Sequence, residues 1–197
     1  MTDETRELFG RHNGILKTSE LHDAGYHYQK IQALCEANEI EPIRRGYYRY
    51  IDENSYSDIP VLAALFPDGV LCLESALDYY GYVDRTPSAW HIAVEGTTAR
   101  TRFNVDCVRV KPHFVVAAKF LVGMETVEID GCRIRIYNRE RTMCDLLSHR
   151  NKVDAETYAK AVQRYVDDPE KDVARLMKYA KRLHVERKAR EVLGAWL

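Results

Sequence analysis

The apolar residues of the first fifty positions change rhythm twice. Ile31, Leu34 and Cys35 are spaced by three and four, which puts them on one face of a helix, with Ile40 just beyond. This spacing predicts an amphipathic helix over residues 26–38, ended at Asn38 because asparagine tolerates the left-handed conformation. Before it, Thr18 and Ser19 precede Glu20-Leu21 and suit a helix N-cap, whose hydroxyl accepts an orphan backbone N–H. Gly25 closes that short helix, since a left-handed glycine has no Cβ to clash. After the second helix, two short β-prone runs flank Arg45-Gly46, which predicts a tight hairpin.

A short helix, a glycine turn, a second helix and a basic hairpin form the order of a winged helix-turn-helix. In such a unit the N-terminus of the second helix meets base edges. Tyr28, Gln29, Lys30 and Gln32 fall there, off the apolar face. Glutamine can bond adenine bidentately, and lysine reaches guanine or phosphate. Arg44, Arg45 and Arg49 concentrate positive charge on the hairpin, where phosphates or the minor groove lie within reach. Thr18 and Ser19 are candidates for a phosphate contact. The competing reading is a helical hairpin that only packs a core.

Downstream, residues 61–66 continue as a helical apolar patch that ends at Pro67-Asp68-Gly69, a turn signal. Residues 70–73 read as a turn of strand, 74–82 as helix, and 90–95 as strand. Residues 102–111 alternate imperfectly, which suggests a half-buried strand. Two strands flank Asp130-Gly131, a strong hairpin signal. From Arg139 onward the pattern is helical, with Asp154 as an N-cap and Pro169 between two helices. Strands first and helices last predict an α+β domain with a small sheet and C-terminal helices. The polar stretch at residues 52–59 sets a boundary, with a winged helix-turn-helix over 1–55 and a second domain over 56–197.

Charge sharpens this division. The 197-residue chain carries a net charge of −1, which by itself points to no nucleic-acid or membrane partner. Residues 1–50 hold seven Lys+Arg and eight Asp+Glu, so DNA binding there must rest on local placement of charge. Residues 51–99 are acidic at −7, while residues 100–150 and 151–197 stand at +4 and +3. Arg133 and Arg135 alternate with Ile134 and Ile136, so both arginines share one face of a strand. With Arg139 they form a candidate basic surface, against the plainer reading of a solvated strand face. Arg141 and Asp145 are four apart and suit a structural ion pair across one helical turn.

At this point the chain resembles the AbiEi antitoxins, the antitoxin half of type IV toxin–antitoxin and abortive phage infection systems. Residues 14–21, Ile31-Gln32-Ala33-Leu34 and Ile43-Arg44-Arg45-Gly46-Tyr47-Tyr48-Arg49 are similar to that family's N-terminal domain. Residues 74–81, 87–94, the Tyr137-Asn138-Arg139-Glu140-Arg141-Thr142-Met143-Cys144-Asp145-Leu146-Leu147 segment and the closing helices resemble its later parts. The resemblance implies a bacterial protein that represses its own operon by binding inverted repeats in operator DNA. It also implies a functional partner, a nucleotidyltransferase-like toxin, without a stable complex. The DNA-facing set is then Thr18, Ser19, Tyr26, His27, Tyr28, Gln29, Lys30, Gln32, Arg44, Arg45, Tyr47 and Arg49. The antitoxin surface is Arg133, Arg135 and Arg139. The chain departs from the commoner pattern in placing Tyr26-His27-Tyr28 where many relatives have a small cap, which offers aromatics for sugars or the wing. The alternative is a ligand- or partner-responsive transcriptional regulator without antitoxin activity.

Enzyme motifs are missing from the sequence. There is no phosphate-cradling Gly-x-x-x-x-Gly-Lys-Ser/Thr run, no Gly-x-Gly-x-x-Gly and no Gly-x-Ser-x-Gly elbow. The Gly-Ser plus Asp-x-Asp pattern of nucleotidyltransferases is absent too. Glu186-Arg187-Lys188 matches part of a nuclease motif but sits in a helix-patterned tail. The five cysteines form no Cys-x-x-Cys pair, and no histidine spacing completes a zinc signature. We therefore expect no catalytic residues, no metal and no cofactor. An odd count of cysteines in apolar stretches, with no signal peptide and no membrane-spanning run, predicts a cytoplasmic protein.

Overall fold

The computed structural model describes residues 3–51 and 57–194. The described chain divides into two compact units. The first is Met1–Pro67 with Asn104–Val108 and Glu128–Arg133, and the second is Asp68–Phe103, Arg109–Val127 and Ile134–Leu197. Residues 52–56, within the stretch read as a boundary, lie outside the described residues.

The first unit opens with helix α1 (Asp3–Gly10), strand β1 (Ile15–Lys17), helices α2 (Thr18–Asp23) and α3 (Tyr28–Glu36), and strands β2 (Ile40–Arg44) and β3 (Tyr47–Tyr50). The three strands form an antiparallel sheet in the order β1-β3-β2. That is the winged helix-turn-helix arrangement, with β2 and β3 as the wing. Helix α4 (Ile59–Leu65) follows, close to the residues read as a helical patch.

Both helices of the helix-turn-helix end as their sequence requires. Gly25 has φ +81°, its N–H donates to the carbonyl of His22, and the N–H of Tyr26 donates to that of Leu21. Asn38 has φ +54° and repeats the pattern, with its N–H on Cys35 and the N–H of Glu39 on Leu34. These paired bonds are the Schellman arrangement, which satisfies carbonyls left over at a helix end. Phe9, Leu16, Leu21, Tyr26, Ile31, Ile40 and Tyr50 make the shared core. Every element of the winged unit from α1 to β3 contributes to it or borders it.

The second region carries β4 (Val70–Leu71), α5 (Leu73–Tyr79), β5 (Trp90–Glu95), β6 (Val110–Val115), α6 (Ala117–Phe120), β7 (Met124–Ile129), β8 (Cys132–Tyr137) and helices α7 (Arg139–Ser148), α8 (Ala155–Asp167), α9 (Val173–Leu183) and α10 (Glu186–Leu193). The five strands lie in the order β6-β5-β4-β8-β7, mixing parallel and antiparallel pairs. The fold is α+β, as the pattern predicted. The Asp130-Gly131 hairpin is present, with positive φ at both residues, which matches a primed two-residue turn. Asp154 caps α8 by accepting from the N–H of Thr157.

One strand expectation fails. Residues 102–111 do not form a continuous strand. A 3-10 turn occupies Arg100–Phe103 and the strand begins only at Val110. The side chain of Arg102 turns to the carboxylate of Asp68 rather than lying on a strand face, and burial falls on Val108 instead of alternating. The apolar run after residue 114 divides between the end of β6 and the short α6.

The helices after Tyr137 enclose a large core that includes Leu77, Met143, Leu146, Tyr165, Leu176 and Leu183. Inside it runs a buried polar thread. Arg141, 2% exposed, donates to both oxygens of Asp145 and to the carbonyls of Lys119 and Val122, and stacks over the ring of Tyr137. The Arg141–Asp145 pair expected from spacing is therefore present and holds α7 to the α6–β7 turn.

Candidate nucleic-acid interface

The start of α2 differs from the sequence reading. The N-cap is Lys17, and Thr18 and Ser19 occupy the first two helical positions. The N–H of Lys17 donates to the carboxylate of Glu20 at 2.7 Å, and the N–H of Thr18 donates to the carbonyl of Gly46 at 2.9 Å. Glu20 stands three residues past the cap, where a carboxylate reaches back to the cap N–H. Those two donors are thus already used within the protein, and the second bond fastens the wing turn to α2. Ser19 is exposed and Thr18 half-buried.

Helix α3 is capped at His27 and begins at Tyr28, two residues later than expected. Tyr26 is consequently not a surface residue. It is 1% exposed, its hydroxyl pairs with Thr5 at 3.0 Å, and it belongs to the core, because the chain must dive inward after Gly25 to bury an aromatic under both helices. A polar tip on an apolar body suits that place, since a buried tyrosine hydroxyl seeks a partner. His27, Tyr28, Gln29, Lys30 and Gln32 are exposed, opposite Ile31. Lys30 Nζ lies 3.6 Å from the centroid of the Tyr26 ring, a cation–π seat that fixes its ammonium beside α3. Gln32 Nε2 donates to the hydroxyl of Tyr28 at 2.7 Å.

On the wing, Gly46 has φ +83°, which lets the chain reverse between Arg45 and Tyr47. Arg45 is exposed and Arg44 half-buried. Lys17 Nζ sits 5.9 Å over the ring of Tyr47, its cross-strand neighbour. Arg49 is committed differently from the expectation. Its guanidinium donates to Glu41, directly opposite on β2, through Nε at 2.8 Å and through a second nitrogen. Arg11 is paired with Glu7 on α1. Among the described residues, the cations left to a ligand on this face are Lys17, Lys30, Arg44 and Arg45. Lys17 carries no signal in the sequence because β1, which holds it, is only three residues long and shows no period.

The arginines proposed as a second surface separate. Arg133 and Arg135 are exposed on β8 between buried Cys132, Ile134 and Ile136. Arg139 is bound internally: it pairs with Asp168 at 2.9 Å and Glu170 at 2.6 Å, and its guanidinium lies over the Tyr80 ring. Among the described residues no group of three or more His, Cys, Asp or Glu is placed to hold a metal ion. All five cysteines are free thiols. No helix among the described residues is long and apolar enough to cross a membrane.

His91, read as a core residue, is buried on β5 beside His113 of β6, with the ring nitrogens 3.3 Å apart. Burial holds both rings down to about 4, and the nearby charges of Lys111 and His149 act in the same direction. A depressed histidine stays neutral in the folded protein while the unfolded chain takes up a proton. Stability is therefore fully present above the ordinary value and is lost as pH falls from about 6.5 toward 4. For His91 alone the expected loss is about 2 kcal/mol between pH 7 and pH 5. Denaturant midpoints at the two pH values check this, and a His91→Gln variant with an undiminished pH dependence would contradict it.

Residues 3–51 match the family described as "Transcriptional regulator, AbiEi antitoxin". This is the same segment that folds as the winged helix. No curated protein matches the chain. Among solved structures, the RV2827C protein from Mycobacterium tuberculosis is similar, with a TM-score of 0.66 at 16% identity over 98% of this chain and 76% of that chain. At that identity the likeness concerns the fold, and it extends over both the winged unit and the sheet-and-helix region.

Proposed function

We infer, from a winged-helix segment that matches antitoxin transcriptional regulators, that this protein binds operator DNA with inverted repeats and represses its own operon. The observation that carries the reading is the pairing of an exposed polar α3 with a cationic wing tied to α2. Helix α3 enters the major groove, with Tyr28, Gln29 and Gln32 at base edges. Lys17, Arg44 and Arg45 meet phosphates, which position the domain without reading sequence. Tyr26 acts from beneath by seating Lys30, and Arg49 acts by stiffening the wing. The net charge near zero makes this placement decisive, because long-range attraction is weak.

Arg45→Ala is expected to weaken operator binding and to lower the salt slope by about one. Lys30→Ala is expected to weaken binding as well. Fluorescence anisotropy across a salt series reads both, and unchanged affinity in both variants would sink the assignment.

The reading extends to antitoxicity against a nucleotidyltransferase-like toxin, in the cytoplasm, as part of phage defence. With Arg139 held by Asp168 and Glu170, the surface available for that role narrows to Arg133 and Arg135. The expected outcome is that Arg133→Glu with Arg135→Glu loses growth rescue against a co-expressed toxin while operator binding stays intact. Full rescue by the double variant would remove this strand face from the antitoxin role, and failure of the wild type to rescue would favour a regulator without antitoxin activity.

A further inference from the structure

Among the described residues Tyr28 is the most exposed large apolar side chain, at 67%, yet its hydroxyl is not left to water alone. Gln32, one turn along α3, donates an Nε2 proton to it at 2.7 Å. The two residues stand on the same face because positions four apart on a helix are neighbours. An exposed aromatic fastened to a carboxamide is unusual equipment for a solvated helix face, since free glutamine keeps its rotamer entropy.

The bond changes what Gln32 can offer a base. A free carboxamide carries two N–H protons and a carbonyl oxygen. With one proton given to Tyr28, one donor and one acceptor remain. Adenine presents the matching pair in the major groove, an N7 acceptor and an N6 donor. Guanine presents two acceptors, N7 and O6, so a carboxamide with one proton left satisfies only one of them.

We propose that the Tyr28–Gln32 pair is a preset adenine reader, in which the Tyr28 hydroxyl excludes guanine by occupying the second Gln32 proton. This rests on the DNA-binding reading above and adds to it the base and the residue that enforces it. Gln32 makes the adenine contact, and Tyr28, beside it at the base edges, acts on that contact as a positioning residue.

The test is selection of random-sequence duplex DNA by the full-length protein, followed by binding to the selected site carrying 7-deaza-deoxyadenosine at single positions. The expected result is one adenine per half-site whose N7 removal weakens wild-type binding about tenfold, within the range of a good bidentate pair. Gln32→Ala should lose that sensitivity. Tyr28→Phe should accept guanine there nearly as well as adenine, with salt dependence unchanged. Selection of a clear site that is insensitive to 7-deaza substitution, or a guanine preference at that position in the wild type, would overturn the proposal and leave DNA binding standing. Failure to enrich any sequence would remove both.

Discussion

Replacing Arg141 by alanine is expected to cost the second unit about 3 kcal/mol, because it leaves a largely buried carboxylate and the carbonyl of Val122 without their partner and takes a donor from the part-buried carbonyl of Lys119. Asp145 is already pushed above the ordinary carboxylate range by burial, and Arg141 opposes that shift. Removing the guanidinium removes the opposition, so Asp145 must either keep an uncompensated charge or take up a proton. The carbonyls of Lys119 and Val122 lose donors at 2.6 and 2.9 Å at the same time. The packing of the guanidinium on Tyr137 disappears too. Denaturant unfolding followed by tyrosine and tryptophan fluorescence measures the loss. Arg135→Ala, on the exposed face of β8, serves as the control and should stay within about 0.5 kcal/mol of wild type. Equal shifts in the two variants would mean that the buried thread contributes nothing of its own.

Gly123→Ala attacks the same junction from the other side and is expected to cost about 3 kcal/mol. Gly123 has φ +72°, and a Cβ there would lie 2.5 Å from the Cβ of Arg141, 2.9 Å from Oδ1 of Asn138 and 3.1 Å from the Tyr179 ring. Left-handed backbone strain and forced overpacking each contribute about 1–3 kcal/mol. The neighbours have little room to move, since Asn138 caps α7 and its N–H donates to the carbonyl of Gly123. Gly131→Ala separates the two terms. It has the same φ of +72° but nothing within 4 Å of the added Cβ. Its cost should be only the backbone part, about 1–2 kcal/mol. Equal midpoints for Gly123→Ala and Gly131→Ala would show that the α6–β7 turn yields without resistance.

These residues also show what was readable in advance. Apart from the cap of α2, which falls on Lys17 rather than on Thr18 or Ser19, local grammar holds: Gly25 and Asn38 end their helices in the left-handed conformation, Arg45-Gly46 and Asp130-Gly131 turn their hairpins, and Asp154 caps α8. In each case the chemistry is decided within a few residues. Arg141 and Asp145 could be paired by spacing, but not their burial or the carbonyls they satisfy, because Lys119 and Val122 reach them through the fold. Tyr26 was misplaced for the same reason. At the start of the expected helix it reads as surface, and only the three-dimensional path after Gly25 sends it into the core against Thr5, two residues before α3 begins. β1 escaped notice because three residues carry no period. At the candidate interface, the sequence supplied α3 and the wing, while the structure removed Tyr26 from direct contact, tied Arg49 to Glu41 and added Lys17.

The most direct test of the account is binding of the full-length protein to the DNA upstream of its own gene, titrated across a salt series against scrambled competitor. The account predicts tight binding that survives competitor and weakens steadily with salt, by the slope expected of a few phosphate contacts. Equal binding to both DNAs, or none, would contradict it and leave the winged helix as a packing unit.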